Sequence, residues 1–201
     1  RVSDWDEEKN KTGRRVLSTE ELMEHELVKK AKLRREEVVA LKLYTGPMFR
    51  LYNAALRGFP AVVVEVLQGN MYPTTIHCIV SGIIKLSAVM KLPENRKVYR
   101  GLGGLELPKP FVVADECGVR GGVEHAMMST TLDRNVAVQY TGGKSIPTIF
   151  EIGVGAIDRG ASVKFLSQYP GEEEILLPPL SYLEVVGPSR VEVEEDGTPM
   201  R

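Results

Sequence analysis

The chain has 201 residues, 43% hydrophobic and 26% charged, with 26 Lys and Arg against 27 Asp and Glu, for a formal net charge of −1. That is a globular composition, long enough for a real core, and its even charge argues against nucleic acid as the main partner, since phosphate binding usually needs a basic excess. The two cysteines, Cys78 and Cys117, exclude a disulfide scaffold and a cysteine zinc motif, the three histidines lack ligand spacing, and no stretch is long and apolar enough to span a membrane.

Residues 1–18 are polar and read as a flexible segment, and residues 19–92 read as helical. Ser18 or Thr19 caps a helix whose first turn carries Glu20 and Glu21, and helix-favouring residues continue to Leu43. The basic run KKAKLRR, Lys29 to Arg35, reads as a solvated face. Thr45-Gly46-Pro47 restarts the chain: Thr45 is a capping residue and Pro47 suits a first turn. A second helix is expected over Met48 to Arg57, with Phe49, Tyr52 and Leu56 on one stripe and Gly58 at its stop. A Gly/Pro-marked loop follows, and then a third helix over Thr74 to Lys91.

Beyond Pro93 the texture changes. Short β-like runs, KVYRG, AMMSTT, TIFEIG, ASVKFL, EEILLPP and LEVVG, alternate with Gly and Pro through residue 187. VEVEE lies in an acidic tail over residues 188–201. Helices first and strands afterwards define an α+β protein. No signal-peptide pattern and no initiator Met open the chain. It is expected to be soluble, cytoplasmic where no signal precedes it and secreted where one does.

Three stretches carry candidate chemistry. Val98-Tyr99-Arg100-Gly101 is a strand end; it belongs to no GxGxxG or Walker pattern. Gly101 permits close backbone approach and Arg100 offers a fork for phosphate oxygens, although many Arg-Gly pairs are surface turns. In Ser129-Thr130-Thr131, Ser129 and Thr131 share a strand face while Thr130 points away; plain β-propensity also explains the run. In SQYPGEEEILLPP, Ser167 to Pro179, an extended backbone puts Glu172 and Glu174 on one face, roughly 6.5 Å apart along the strand. Taken alone the stretch reads as a hydrated loop edge. The alternative is a carboxylate pair serving as general base and cation stabiliser.

In order and spacing, VYRG, MSTTLDRNVAVQY and FLSQYPGEEEILLPP together resemble the arginine–serine–glutamate class of mono-ADP-ribosyltransferases, the cholera-toxin-like and vertebrate ecto-enzyme type, over roughly residues 45–187. The resemblance implies two packed β-sheets forming an NAD cleft, with helices placed N-terminally. It implies NAD as co-substrate, no metal, and a protein partner bearing an exposed arginine. Arg100 would hold NAD through the nicotinamide-side phosphate and ribose, and Gly101 would pin the nicotinamide amide. Ser129 would bond the ribose and orient the catalytic carboxylate, with Thr130 and Thr131 completing the strand. Glu174 would be the catalytic glutamate and Glu172 the arginine-selecting one. Ser167 to Gly171 would form a target-recognition loop with Tyr169 near its tip, and Glu173 would be a bystander. The chain departs from the family in carrying Met127-Met128 where an aromatic often precedes the serine, and Ser-Thr-Thr in place of Ser-Thr-Ser. The implied activity is transfer of ADP-ribose to protein arginine. NAD hydrolysis, or a non-catalytic NAD-binding module of the same fold, are the alternatives.

Overall fold

The computed structural model describes residues 16–90, 96–103, 107–141, 148–155, 160–169, 173–190, 192–193 and 199–200. Three short helices, α1 (Thr19–Met23), α2 (Glu26–Ala31) and α3 (Arg35–Leu43), stand where one continuous helix is expected. Ser18 caps α1 in a capping box with Glu21 (Glu21 N–H to Ser18 Oγ, 3.1 Å; Ser18 N–H to Glu21 Oε2, 2.8 Å). His25 Nδ1 caps α2, and Lys32 ends it in a left-handed conformation at φ 52°. The breaks have a packing cause. Leu22, Val28, Leu33 and Val38 are all buried. Steps of five and six residues do not return to one face at about 3.6 residues per turn, so a single straight helix would leave some of them in water.

The restart at Thr45-Gly46-Pro47 is present as a break across Tyr44–Met48, with Gly46 extended at φ −98°, ψ −164°. Thr45 does not cap the next helix: its hydroxyl donates to the Lys42 carbonyl at 2.9 Å. Helix α4 (Phe49–Arg57) ends at Gly58, whose φ of 66° is the left-handed stop expected of a glycine there. The span expected as a loop contains α5 (Ala61–Leu67). Its run of valines weakens the helical signal, and Val62 and Val66 remain exposed. Helix α6 (Pro73–Val89) takes Pro73 into its first turn and buries Ile79, Ile83 and Leu86 against α3.

The strands are β1 (Arg96–Leu102), β2 (Gly121–Glu124), β3 (Met128–Thr131), β4 (Thr148–Val154), β5 (Ala161–Ser162), β6 (Glu174–Leu177), β7 (Ser181–Glu184), β8 (Glu192–Val193) and β9 (Pro199–Met200). ASVKFL is extended only at its first two residues and then turns tightly through Lys164–Leu166. Two helices lie among the strands, α7 (Lys109–Val112) and α8 (Arg134–Gln139), the latter capped by Asp133. One antiparallel sheet has the order β4-β1-β3-β6-β5, β2 pairs with β7, and β8 pairs with β9. The five-stranded sheet is covered on both faces, which is why β6 reads as the unbroken apolar run Ile175-Leu176-Leu177. Leu176, Ala161 and Val163 meet the helices, while Ile175, Leu177, Val98 and Met128 meet Leu183 of β7. The molecule is therefore α+β, with two sheets packed together and the helical layer against one of them.

Candidate active site

Sheet order brings the three sequence motifs together. Strand β3 lies between β1 and β6, with Tyr99 opposite Thr131, Thr131 opposite Glu174 and Ser129 opposite Leu176. Residues 29 and 45 positions apart, Arg100 to Ser129 and Ser129 to Glu174, thus sit on adjacent strands. Ser129, Thr131 and Glu174 share one face, and Ser129 and Glu174 are diagonal neighbours across the ladder. Thr130 points to the other face, where its hydroxyl donates to the Ile175 carbonyl at 2.8 Å and is buried. Thr131 is also buried, and its Oγ1 accepts the Asp133 N–H at 3.1 Å, tying β3 to the start of α8.

Arg100 is held at both ends of its fork. Nη1 donates to the Ser129 carbonyl at 2.9 Å, and Nη2 lies 3.9 Å from Glu124 Oε2. Burial pushes its pKa down and the negative charge of Glu124 works against that shift. The guanidinium stays charged, because arginine starts from so high a value. Beside it, the place a Cβ would take at Gly101 is filled by the Ala137 carbonyl of α8. Helix packing is thus one reason for glycine at this position.

Four further residues enter the site from elements that no sequence motif marks. Arg57, at the end of α4, makes a bidentate pair with Glu124 on β2 (Nε to Oε1, 2.9 Å; Nη2 to Oε2, 2.8 Å), and Glu124 Oε1 also accepts the Ala126 N–H at 3.0 Å. Burial raises the Glu124 pKa, but the hydrogen bonds from Arg57 and Ala126 and the charges of Arg57 and Arg100 outweigh it, so the net shift is downward. Glu124 is therefore a firm anion shared by two guanidiniums, and this trio carries net positive charge. Tyr44, buried at the helix break, accepts from Asn53 Nδ2 at 3.2 Å; its pKa is raised by burial and further by the nearby Glu174. Asn53 Oδ1 is buried without a hydrogen-bond partner among the described residues. Asn53 and Arg57 are spaced i, i+4 on the polar side of α4. That spacing, and a glutamate five residues before Ser129, were the only signals in the sequence.

The glutamate run is only partly described. Glu172 lies outside the described residues. Glu174 opens β6 and is partly buried. Glu173 forms an ion pair with Lys164 on the turn after β5. Tyr169 is 51% exposed, and residues 170 and 171 of the expected recognition loop lie outside the described residues. Ahead of it, Gln168 is fastened to the helix break: its N–H donates to Thr45 Oγ1 at 3.1 Å and its side-chain Nε2 to the Lys42 carbonyl at 3.0 Å.

This architecture is the α+β ADP-ribosyltransferase fold. Among solved structures it is similar to the ADP-ribosyltransferase HopU1 of Pseudomonas syringae (TM-score 0.65, 25% identity, 92% of this chain and 85% of that one). It also matches Exoenzyme S of Pseudomonas aeruginosa, solved with human 14-3-3 protein beta and bound to carba-NAD (TM-score 0.55, 21% identity, 91% of this chain and 84% of that one). In sequence, the family profile described as NAD:arginine ADP-ribosyltransferase matches residues 2–196, and the chain belongs to that family. Its curated relatives include the GPI-linked NAD(P)(+)--arginine ADP-ribosyltransferase 1 of Oryctolagus cuniculus, 31% identical over 162 residues (80% of this chain, 46% of the relative). The protein of the same name from Homo sapiens is 29% identical over 160 residues (79% and 45%). The chain thus spans under half the length of these relatives. Among the described residues, no helix is long and apolar enough to cross a membrane.

Proposed function

We propose that this chain transfers ADP-ribose from NAD to arginine side chains of proteins, releasing nicotinamide. The observation that supports the reading is the adjacency of β1, β3 and β6, which sets Arg100, Ser129 and Glu174 on neighbouring strands, with Tyr44 near Arg100, Arg57 and Glu174. In this reading Arg100 and Arg57 take the pyrophosphate oxygens of NAD, for which paired forks are well suited. Asn53 Oδ1, an acceptor without a partner among the described residues, is available to a donor on the bound nucleotide. Ser129 bonds the nicotinamide ribose, and the Gly101 backbone holds the nicotinamide amide.

Bond breaking leaves a positive charge on the ribose as nicotinamide departs with the electron pair. Glu174, bonded to the 2′-hydroxyl, stabilises that charge more in the transition state than in the ground state, which is what accelerates the step. The acceptor guanidinium is protonated in water and a poor nucleophile. Glu172 orients it and takes its proton as its nitrogen attacks the ribose carbon. Tyr169 contacts the target beside the incoming arginine.

Incubation with NAD and a small guanidine such as agmatine tests this directly. Nicotinamide and ADP-ribosylguanidine are expected in equal amounts. Nicotinamide without adduct means a glycohydrolase, and calorimetric NAD binding without any turnover means a non-catalytic module. Glu172→Gln should abolish transfer yet retain NAD hydrolysis. Glu174→Gln should lower both by about 100-fold to 1,000-fold, the usual cost of removing a transition-state charge stabiliser. Wild-type rates in Glu174→Gln would overturn the catalytic assignment.

A further inference from the structure

The start of the SQYPGEEE segment is fastened to the helical layer, far away in sequence. Gln168 reaches the break after α3 and makes two hydrogen bonds there, one from its backbone N–H to Thr45 Oγ1 (3.1 Å) and one from its side chain to the Lys42 carbonyl (3.0 Å). The Thr45 hydroxyl, having accepted from Gln168, donates to the same Lys42 carbonyl at 2.9 Å. The side-chain amide of Gln168 fills the space that a Cβ on Gly46 would occupy. Thr45, Gly46 and Ser167 are buried, while Tyr169, the residue after Gln168, is half exposed. Tyr169 N–H donates to Ser167 Oγ at 2.8 Å, so its side chain reaches solvent from a backbone that is still held. On the far side, Glu173 is paired with Lys164, and Val163 N–H bonds the Glu174 carbonyl at 3.1 Å. Gly46 is extended in a way that breaks the helix, and Tyr44, one residue before Thr45, is buried near Arg100 and Glu174.

We infer that the Thr45–Gly46 break and Gln168 form an anchor that positions the acceptor-recognition segment, so that Thr45, Gly46 and Gln168 set the partition between arginine and water as acceptors. The inference rests on the proposed transferase reading. None of the three contacts the reacting atoms. They act through the segment that leads to Glu172, four residues after Gln168, as positioning residues. An acceptor must be held in near-attack geometry, where a misplacement of about 1 Å can cost about 100-fold, whereas water needs no such holding. Loosening the anchor should therefore cost transfer and spare hydrolysis.

The test uses Thr45→Val, which keeps shape and removes the hydroxyl, Gly46→Ala, which drives a methyl into Gln168, and Gln168→Ala. Thr45→Ser is the conservative control. Each is assayed with NAD and agmatine, following nicotinamide and adduct separately. The expected result is about a tenfold fall in adduct per nicotinamide released in the first three variants, with NAD hydrolysis in the absence of agmatine within about twofold of wild type, and wild-type partition in Thr45→Ser. A parallel fall of both products, or no change in partition, overturns the inference. Hydrogen exchange at the Gln168 amide reads the anchor without any turnover. That amide should lose protection in Thr45→Val and keep it in Thr45→Ser; equal protection in both overturns the anchor itself. Wild-type protein that releases nicotinamide but makes no adduct refutes the transferase reading instead, a result distinct from either failure.

Discussion

Replacing Glu37 by Gln should destabilise the fold by about 3 kcal/mol. Glu37 on α3 is fully buried, and its carboxylate accepts four hydrogen bonds: two from Lys85 Nζ at 2.7 and 2.8 Å, one from Ser81 Oγ at 2.6 Å and one from the Arg34 N–H at 2.8 Å. It joins α3 to α6, the packed helical pair from which the chain turns into Tyr44 and the Gln168 anchor. Glutamine has the same shape but only one oxygen, so its NH₂ must face a group that already donates. Removing one partner of a buried ion pair costs about 3–5 kcal/mol. The Lys85 side chain is 32% exposed and can turn toward water, which puts the effect at the low end of that range. A domain of this size loses about 2–4 °C of Tm per kcal/mol, so melting should fall by about 6–12 °C at pH 7. Acid supplies the second signature. Burial alone would raise the Glu37 pKa, but its donors more than compensate, so the folded value lies below the usual 4.5. The carboxylate's contribution is then complete above about pH 4.5 and is lost as pH falls through the folded value. Thermal melts followed by circular dichroism between pH 7 and pH 3 should show the wild-type and Glu37→Gln curves converging in acid. A difference under about 1 kcal/mol at pH 7, or a gap that does not narrow, would refute the assignment.

Two further outcomes follow from the site. Gly101→Ala should cost about 1–3 kcal/mol of stability through overpacking against the Ala137 carbonyl, measurable by urea unfolding; a neutral result would mean that α8 yields easily. A double-mutant cycle on Arg57→Ala and Glu124→Ala should give a coupling of about 2 kcal/mol, between the values typical of exposed and fully buried pairs, because their side chains are 29% and 19% exposed. Additive single effects would show that the bidentate geometry contributes nothing to folding.

What could be read from the chain alone was what depends on neighbours in sequence. The cap expected at Ser18 or Thr19, which the structure places at Ser18, the glycine stop at 58 and the apolar run at 175–177 are local signals, and each appears where expected. So do strands β1, β3, β4 and β6. What tertiary structure alone decided was whatever depends on which distant surfaces meet. The helix expected over residues 19–43 is cut in two places because its buried side chains do not share a face, and the valine-rich α5 is helical despite weak propensity. Tyr44, Asn53, Arg57 and Glu124 join the site from the helical layer and from a second sheet. The i, i+4 spacing of Asn53 and Arg57 shows a shared helix face but not the distant strand that it meets. Glu173 pairs with Lys164 only because the turn after β5 lies beside β6. A sequence records which groups are available; folding buries some of them together, and in that shared, partly dry environment a carboxylate between two guanidiniums is held as a firm anion.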